Sequence, residues 1–170
     1  MTFSVVGRCE ASGMFGVAVA SSSPAVAARC AYAKAGVGAV ASQNVTDPTL
    51  GVRGLELMQL GANANQTVDT LVASSDWMDY RQVLIVDKSG GTAIHSGANA
   101  LGTWSSAKAA NVACGGNLLA NADVPSVMVE AFSRFEGPLG DRLLHTMRAG
   151  LDAGGEAGPI HSAGMKLVRE

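Results

Sequence analysis

The chain opens on short apolar runs broken by polar turns. Thr2 to Cys9 and Phe15 to Ser21 read as two strands, joined by Glu10-Ala11-Ser12-Gly13, whose glycine can supply the positive φ of a hairpin turn. The second run, Phe15-Gly16-Val17-Ala18-Val19-Ala20, shows no polar alternation, so a layer must cover each of its faces. Ser21-Ser22-Ser23-Pro24 breaks that run. A variable stretch then leads into Gly36 to Ala41, a small-residue strand that implies close packing. Polar Ser42 to Pro48 is expected to end this first set of strands.

The periodicity then changes from strand to helix. Leu50 to Leu60 predicts a helix closed by Gly61, with Val52, Leu55, Leu57 and Met58 as its buried face. A second helix, from about 66 to 74, places Val68, Leu71 and Val72 on one face. Gln82 to Asp87 and Thr92 to His95 bracket Lys88-Ser89-Gly90-Gly91 as another hairpin, and Asn111 to Cys114 adds a strand. Asp123 is a candidate N-cap with Pro125 in the first turn, followed by Met128, Ala131, Phe132 and Phe135 at helical spacing. Leu139 to about Ala153 predicts a helix burying Leu143, Leu144, Met147 and Leu151 and stopping at Gly154-Gly155. Gly164 to Val168 is a final strand. Strands, a helix pair, strands, a helix pair and a strand predict an α+β fold. Two stacked, mainly antiparallel sheets lie between helical layers in a four-layer αββα sandwich, whereas a Rossmann order would alternate strand and helix.

Composition narrows the function. At 170 residues the chain fits a single domain, and its apolar residues (48%) are mostly small, since aromatics are only 5% and glycines number 21. A net charge of -2 with dispersed Lys and Arg offers no footprint for nucleic acid, and no apolar stretch approaches the ~20 residues of a membrane span. MTFSVVGRCE lacks the layout of a secretory leader, so the expected location is cytoplasmic. Cys9, Cys30 and Cys114 are odd in number and dispersed, as suits reduced thiols, and His95, His145 and His161 show no metal-ligand spacing. Neither metal nor cofactor is expected. Small surface side chains on stacked sheets favour a homo-oligomer.

One residue carries a distinctive chemistry. Thr2 follows only Met1 and starts the first strand, so removal of Met1 would give a residue with both a hydroxyl nucleophile and a free α-amine, of pKa roughly 8, to serve as its base. The setting of Thr2 also matches known sequences. Thr2-Phe3-Ser4-Val5-Val6, Gly16 to Ser21 with Pro24-Ala25-Val26, and Ala35 to Val40 are followed in order by Arg53-Gly54-Leu55-Glu56-Leu57, Gly116-Asn117-Leu118-Leu119-Ala120, and Gly154-Gly155-Glu156 with His161-Ser162-Ala163-Gly164. Together, over nearly the whole chain, these segments resemble the DUF1028 family. That family is grouped with the N-terminal nucleophile hydrolases, so the resemblance implies the same αββα sandwich and, by analogy of fold, amide hydrolysis. It also implies a further segment after the last strand.

The mechanism so implied has Thr2 attacking a small amide while its α-amine takes the proton, with backbone N–H groups or Asn44 holding the oxyanion. Proteasome-like members of that fold class carry an acidic residue after the second strand and a lysine further on. Ser21 and Ser22 stand in the first place here, and Lys34 lies at about the distance of the second or is an ordinary solvated lysine. Gln43 and Asn44 at a strand exit, and Asn117 after Cys114-Gly115-Gly116, are candidate substrate contacts or turn residues. His161 is a candidate proton relay or a structural histidine. Gly154, Gly155 and Gly158 read as helix termination and a turn rather than a phosphate cradle. Two alternatives stand beside the amidohydrolase: a non-catalytic binding or assembly module on the same fold, and a cysteine enzyme using Cys30 or Cys114 with His161 as base.

Overall fold

The computed structural model describes residues 1–169. Strands β1 (Thr2–Arg8) and β2 (Phe15–Ser21) form the expected hairpin, with Gly13 at φ 67° in the turn. A short helix α1 (Val26–Cys30) and strand β3 (Ala31–Lys34) then lead to β4 (Gly38–Asn44). Helices α2 (Pro48–Gln59) and α3 (Ala64–Ala73) follow. Strands β5 (Arg81–Asp87), β6 (Thr92–Ser96), β7 (Ser105–Ala109) and β8 (Val112–Asn117) come next. Helices α4 (Val124–Arg134) and α5 (Leu139–Asp152) and strand β9 (Ser162–Val168) complete the order.

Two sheets result, of five strands in the order β7-β8-β1-β2-β9 and four in the order β3-β4-β5-β6, with antiparallel neighbours throughout. Strand alternation sorts the side chains into three apolar layers. Val6, Val17, Val19 and Ala113 of the first sheet meet Ala39, Ala41, Leu84 and Val86 of the second. On the outer face of the first sheet, Phe3, Val5, Ala18 and Cys114 pack on Met128, Phe132 and Leu143 of α4 and α5. On the outer face of the second, Val40, Val83 and Ile85 pack on Leu50, Met58, Val68 and Leu71 of α2 and α3. The fold is therefore the expected αββα sandwich, and the uniformly apolar β2 is covered on both sides. Glycine permits the close approach: a Cβ at Gly16 would lie 2.5 Å from Leu143 Cδ1, and one at Gly51 would lie 2.0 Å from Tyr32 Cδ2.

Several local expectations change. The segment expected to end the first strands continues β4 through Ser42, Gln43 and Asn44, because Ser42 and Gln43 are fully buried with hydrogen-bond partners. Likewise β8 runs on to Asn117, and α1, β3 and β7 occupy stretches with no assigned element. The buried face of α2 is Leu50, Gly51, Gly54 and Met58, while Val52 is 49% exposed, because the two glycines rather than large side chains face the sheet. Asp123 makes no side-chain cap; its own amide instead donates to Asn121 Oδ1 at 3.0 Å. Leu144 and Leu151 of α5 are exposed, and Phe135 ends α4 and stacks on His145 with ring centroids 4.6 Å apart. No helix among the described residues is long and apolar enough to cross a membrane.

Candidate functional site

The apolar layer between the sheets gives way to polar side chains at one end. Register aligns Asn117, Thr2, Ser21 and Ser162 as successive cross-strand partners on β8, β1, β2 and β9. Partners in register share a face, and strand alternation places this row on the same face as Val6 and Val19, looking into the space between the sheets. The second sheet answers with its own row, Gln43, Gln82 and Ser96, aligned on β4, β5 and β6.

These rows interlock through buried amides. Ser4 Oγ donates to Gln43 Oε1 at 2.6 Å, and Gln43 Nε2 donates to Gln82 Oε1 at 3.0 Å and to the Gly115 carbonyl at 3.2 Å. Gln82 Nε2 donates to Ser96 Oγ at 3.1 Å and to the Gly116 carbonyl at 3.0 Å, while Asn117 Nδ2 donates to Gln82 Oε1 at 3.3 Å. Gln43 and Gln82 are fully buried and Asn117 nearly so, so the network replaces water that these amides lose on folding. It bolts the two sheets together beside Thr2.

Thr2 itself is only 7% exposed. Its hydroxyl donates to the Met1 carbonyl oxygen at 2.6 Å and stands 3.1 Å from Ser21 Oγ. The Ser21 hydroxyl also donates to the Met1 carbonyl oxygen, and the Ser23 amide donates to Ser21 Oγ at 3.0 Å. Two hydroxyls thus converge on one carbonyl. Among the described residues no carboxylate, imidazole or amine side chain hydrogen-bonds the Thr2 hydroxyl. What covers Thr2 is Met1, whose terminal methyl rests where a Cβ at Gly158 would come within 2.8 Å.

The wall opposite Met1 comes from the other end of the chain. Gly154 and Gly155, with φ of 117° and 57°, turn the chain out of α5, as a helix stop requires. Glu156 then bridges to Leu119, fixed by Ala120 N–H donating to the Gly155 carbonyl at 3.0 Å and Ala157 N–H to the Leu118 carbonyl at 2.9 Å. The Glu156 side chain is buried, and neither carboxylate oxygen has a hydrogen-bond partner. Burial pushes its pKa up, opposed first by the Ser22 amide, which is directed at the carboxylate just beyond hydrogen-bond geometry, and then by the N-terminal ammonium and the His161 ring within electrostatic reach.

His161 is exposed and staples this segment to β2: its amide donates to the Ser21 carbonyl at 2.9 Å and its Nδ1 contacts the Ser22 carbonyl at 3.0 Å. A carbonyl can only accept, so Nδ1 carries the proton and, in the neutral ring, Nε2 keeps its lone pair. The structure therefore gathers Thr2, Ser21, Ser22, Asn117, Gln43 and His161 at one end of the sandwich. It does not bring Lys34 or Asn44 to them. Lys34 sits at the opposite end of the β3–β4 pair, exposed, with Nζ 2.5 Å from Gln59 Oε1. Asn44, at φ 76°, uses its amide on the Tyr80 carbonyl and the Leu101 N–H, tying the end of β4 to two distant loops.

Sequence reasoning missed Ser4, Gln82 and Glu156. Ser4 and Gln82 were visible as polar residues on an otherwise apolar face of a strand. Glu156 stands in one of the segments resembling the family, Gly154-Gly155-Glu156, which gave it no assigned role. The cysteines stand apart from this end. Cys30 and Cys114 are buried with thiol pKa values pushed up by desolvation, and only Cys9 is pulled down, by the Ser12 hydroxyl first. Among the described residues no group of three or more His, Cys, Asp or Glu could hold a metal ion.

This geometry can be set beside known proteins. A family profile described as a family of unknown function, DUF1028, matches residues 2–170. The chain belongs to the DUF1028 family. A crystal structure of the DUF1028 protein SPO2555 from Silicibacter pomeroyi superposes with a TM-score of 0.92 at 25% identity, covering 99% of this chain and 73% of that one. No curated protein matches the chain. The DUF1028 match extends over both sheets and all five helices, so the polar end containing Thr2 lies wholly within it.

Proposed function

We propose that the chain is an amide hydrolase of the N-terminal nucleophile type, acting through Thr2 once Met1 has been removed. One observation carries the reading. The Thr2 hydroxyl is buried beside the Ser21 hydroxyl with no side-chain base in contact, so its own α-amine, now tied up in the Met1 peptide bond, is the base in reach. Removing Met1 frees that amine and uncovers the hydroxyl in one step.

In the reaction, Thr2 Oγ bonds to the substrate carbonyl carbon while its proton passes to the α-amine and on to the leaving nitrogen as the C–N bond breaks. Water then attacks the ester, releasing a carboxylic acid and restoring the hydroxyl. Ser21, whose hydroxyl now holds the Met1 carbonyl oxygen, would hold the oxyanion. His161 can relay protons between solvent and this end through its free Nε2, and Asn117 and Gln43 fix the floor.

Intact-mass measurement of the natively expressed protein, followed by a small-amide screen of wild type beside Thr2→Ala, tests the reading. Loss of Met1 with turnover that disappears in Thr2→Ala is expected. Retention of Met1 in every molecule, or equal rates for the two proteins, would overturn it. A second reading, an assembly module, is favoured by the open edge at β9, where Met165 and Leu167 are 38% and 39% exposed beside an apolar groove of about 340 Å³ lined by Phe3, Leu144, Met147 and Leu151.

A further inference from the structure

We propose that the acyl half of the substrate is an α-amino acid with a free ammonium group and a slim, unbranched apolar side chain, and that Glu156 and Gly158 form its subsite. This rests on Thr2 being the nucleophile. Three observations in the Met1-bearing chain point to it, because Met1 is itself an aminoacyl group attached to Thr2.

Its carbonyl oxygen lies in the cradle of the Thr2 and Ser21 hydroxyls. An acyl group on the Thr2 nitrogen and one on Thr2 Oγ are the two ends of a short cyclic transfer, so an acyl-enzyme would occupy neighbouring space. Its side chain runs to Gly158, where even a methyl group would come within 2.8 Å of Met1 Cε. A glycine there makes room for a side chain of methionine length. Finally, Glu156 is 5% exposed and no side chain pairs with its carboxylate, towards which only the Ser22 amide is directed, an unfavourable state that a cation would relieve. The Met1 ammonium lies within its electrostatic reach but closes no ion pair with it. A substrate whose carbonyl is not held in the Met1–Thr2 peptide bond can bring its ammonium closer. In the reaction such a substrate forms an ester between its carbonyl carbon and Thr2 Oγ, expels an amine, and leaves as the free amino acid after water attacks.

Processed protein, its mass confirming loss of Met1, should be assayed on methionine amides of one fluorogenic amine with the α-amine either free or acetylated. The free form is expected to be preferred by about 10- to 100-fold in kcat/KM, the scale of one charge-assisted contact. Glu156→Gln should abolish that preference by slowing the free form alone. Gly158→Val, an independent probe should Glu156→Gln fail to fold, should slow methionine amide but not glycine amide.

Equal or better turnover of the acetylated amide would overturn the subsite while leaving Thr2 catalysis standing. That is also the result if Glu156 serves the Thr2 ammonium instead of the substrate. Preference unchanged in a folded Glu156→Gln variant would overturn the subsite as well. Turnover of neither amide by the processed protein would overturn both proposals together.

Discussion

Replacing Gln82 with methionine tests whether the buried amide network bolts the sheets at the Thr2 end. The side chain is fully buried, and methionine nearly conserves its shape, so the substitution leaves no cavity to confuse the result. Its chemistry changes completely. Asn117 Nδ2 loses its acceptor at 3.3 Å, and the Gly116 carbonyl and Ser96 Oγ lose donors at 3.0 and 3.1 Å. Gln43 Nε2 retains the Gly115 carbonyl at 3.2 Å, so it is not orphaned. One stranded buried donor costs about 1–3 kcal/mol and each ordinary bond about 1 kcal/mol net, offset in part by the apolar replacement, which gives a destabilisation of roughly 2–4 kcal/mol. For a chain of this length that lowers Tm by roughly 5–15 °C. Urea titration with an unchanged m-value is the primary assay. Adding Asn117→Leu should recover part of the loss, since removing both partners is milder than stranding one. A Gln82→Met midpoint within ~0.5 kcal/mol of wild type, or strict additivity with Asn117→Leu, would refute the reasoning.

Other expectations follow from single contacts. Gly51→Ala places a methyl 2.0 Å from Tyr32 Cδ2, so it should destabilise by about 1–3 kcal/mol in urea, and no change would mean that α2 can lift off the sheet at no cost. Under native conditions a thiol reagent should label Cys9 while Cys30 and Cys114 react only after unfolding; early labelling at Cys114 would contradict its complete burial. Glu156 binds its proton more tightly folded than unfolded, so its contribution to stability is fully present below the ordinary glutamate pKa and is lost as pH rises through the raised value. Glu156→Gln removes this dependence, so in urea titrations its stability relative to wild type should climb across that window and level off above it. A difference independent of pH would exclude a buried, unpaired carboxylate.

Much of the fold was legible because its strands are apolar on both faces. Phe15 to Ala20 demanded two covering layers, and the order of strand and helix sets then left the αββα sandwich. What escaped notice had local reasons. Ser105 to Ala109 is a short, partly exposed edge strand of small residues and one lysine, and it carries no alternation of large apolar groups. The buried face of α2 is built on Gly51 and Gly54, so its large side chain Val52 does not mark it. Ser42 and Gln43 read as the start of a polar break because the partner that buries Gln43, Gln82, lies on another strand, and Ser42 bonds only locally, to the Asp47 carbonyl. At the site, Ser21 and Asn117 could be suspected from Thr2's neighbours along the motifs, but only the register shows that they flank it on the same rung.

Glu156 shows what a linear reading of such a site leaves out. The position after β2, where proteasome-like relatives of this fold class carry an acidic residue, holds Ser21 and Ser22 here. A buried carboxylate does reach this end of the sandwich, but from the far end of the chain. Gly154 and Gly155 turn it out of α5, the Leu119 bridge pins it, and His161 and Ser162 tie the segment back onto the carbonyls of Ser21, Ser22 and Ser23. Because Ser21 flanks Thr2, the segment carrying Glu156 cannot shift without disturbing a neighbour of Thr2. Loosening the staple by Ser162→Ala, which removes the bonds to the Ser23 carbonyl and the Val26 amide, should thus impair Thr2 chemistry at a distance from it. If Thr2 is the nucleophile as proposed, the loss should appear in kcat on small amides with the fold intact by urea titration, and unchanged kcat would refute the coupling of this segment to Thr2.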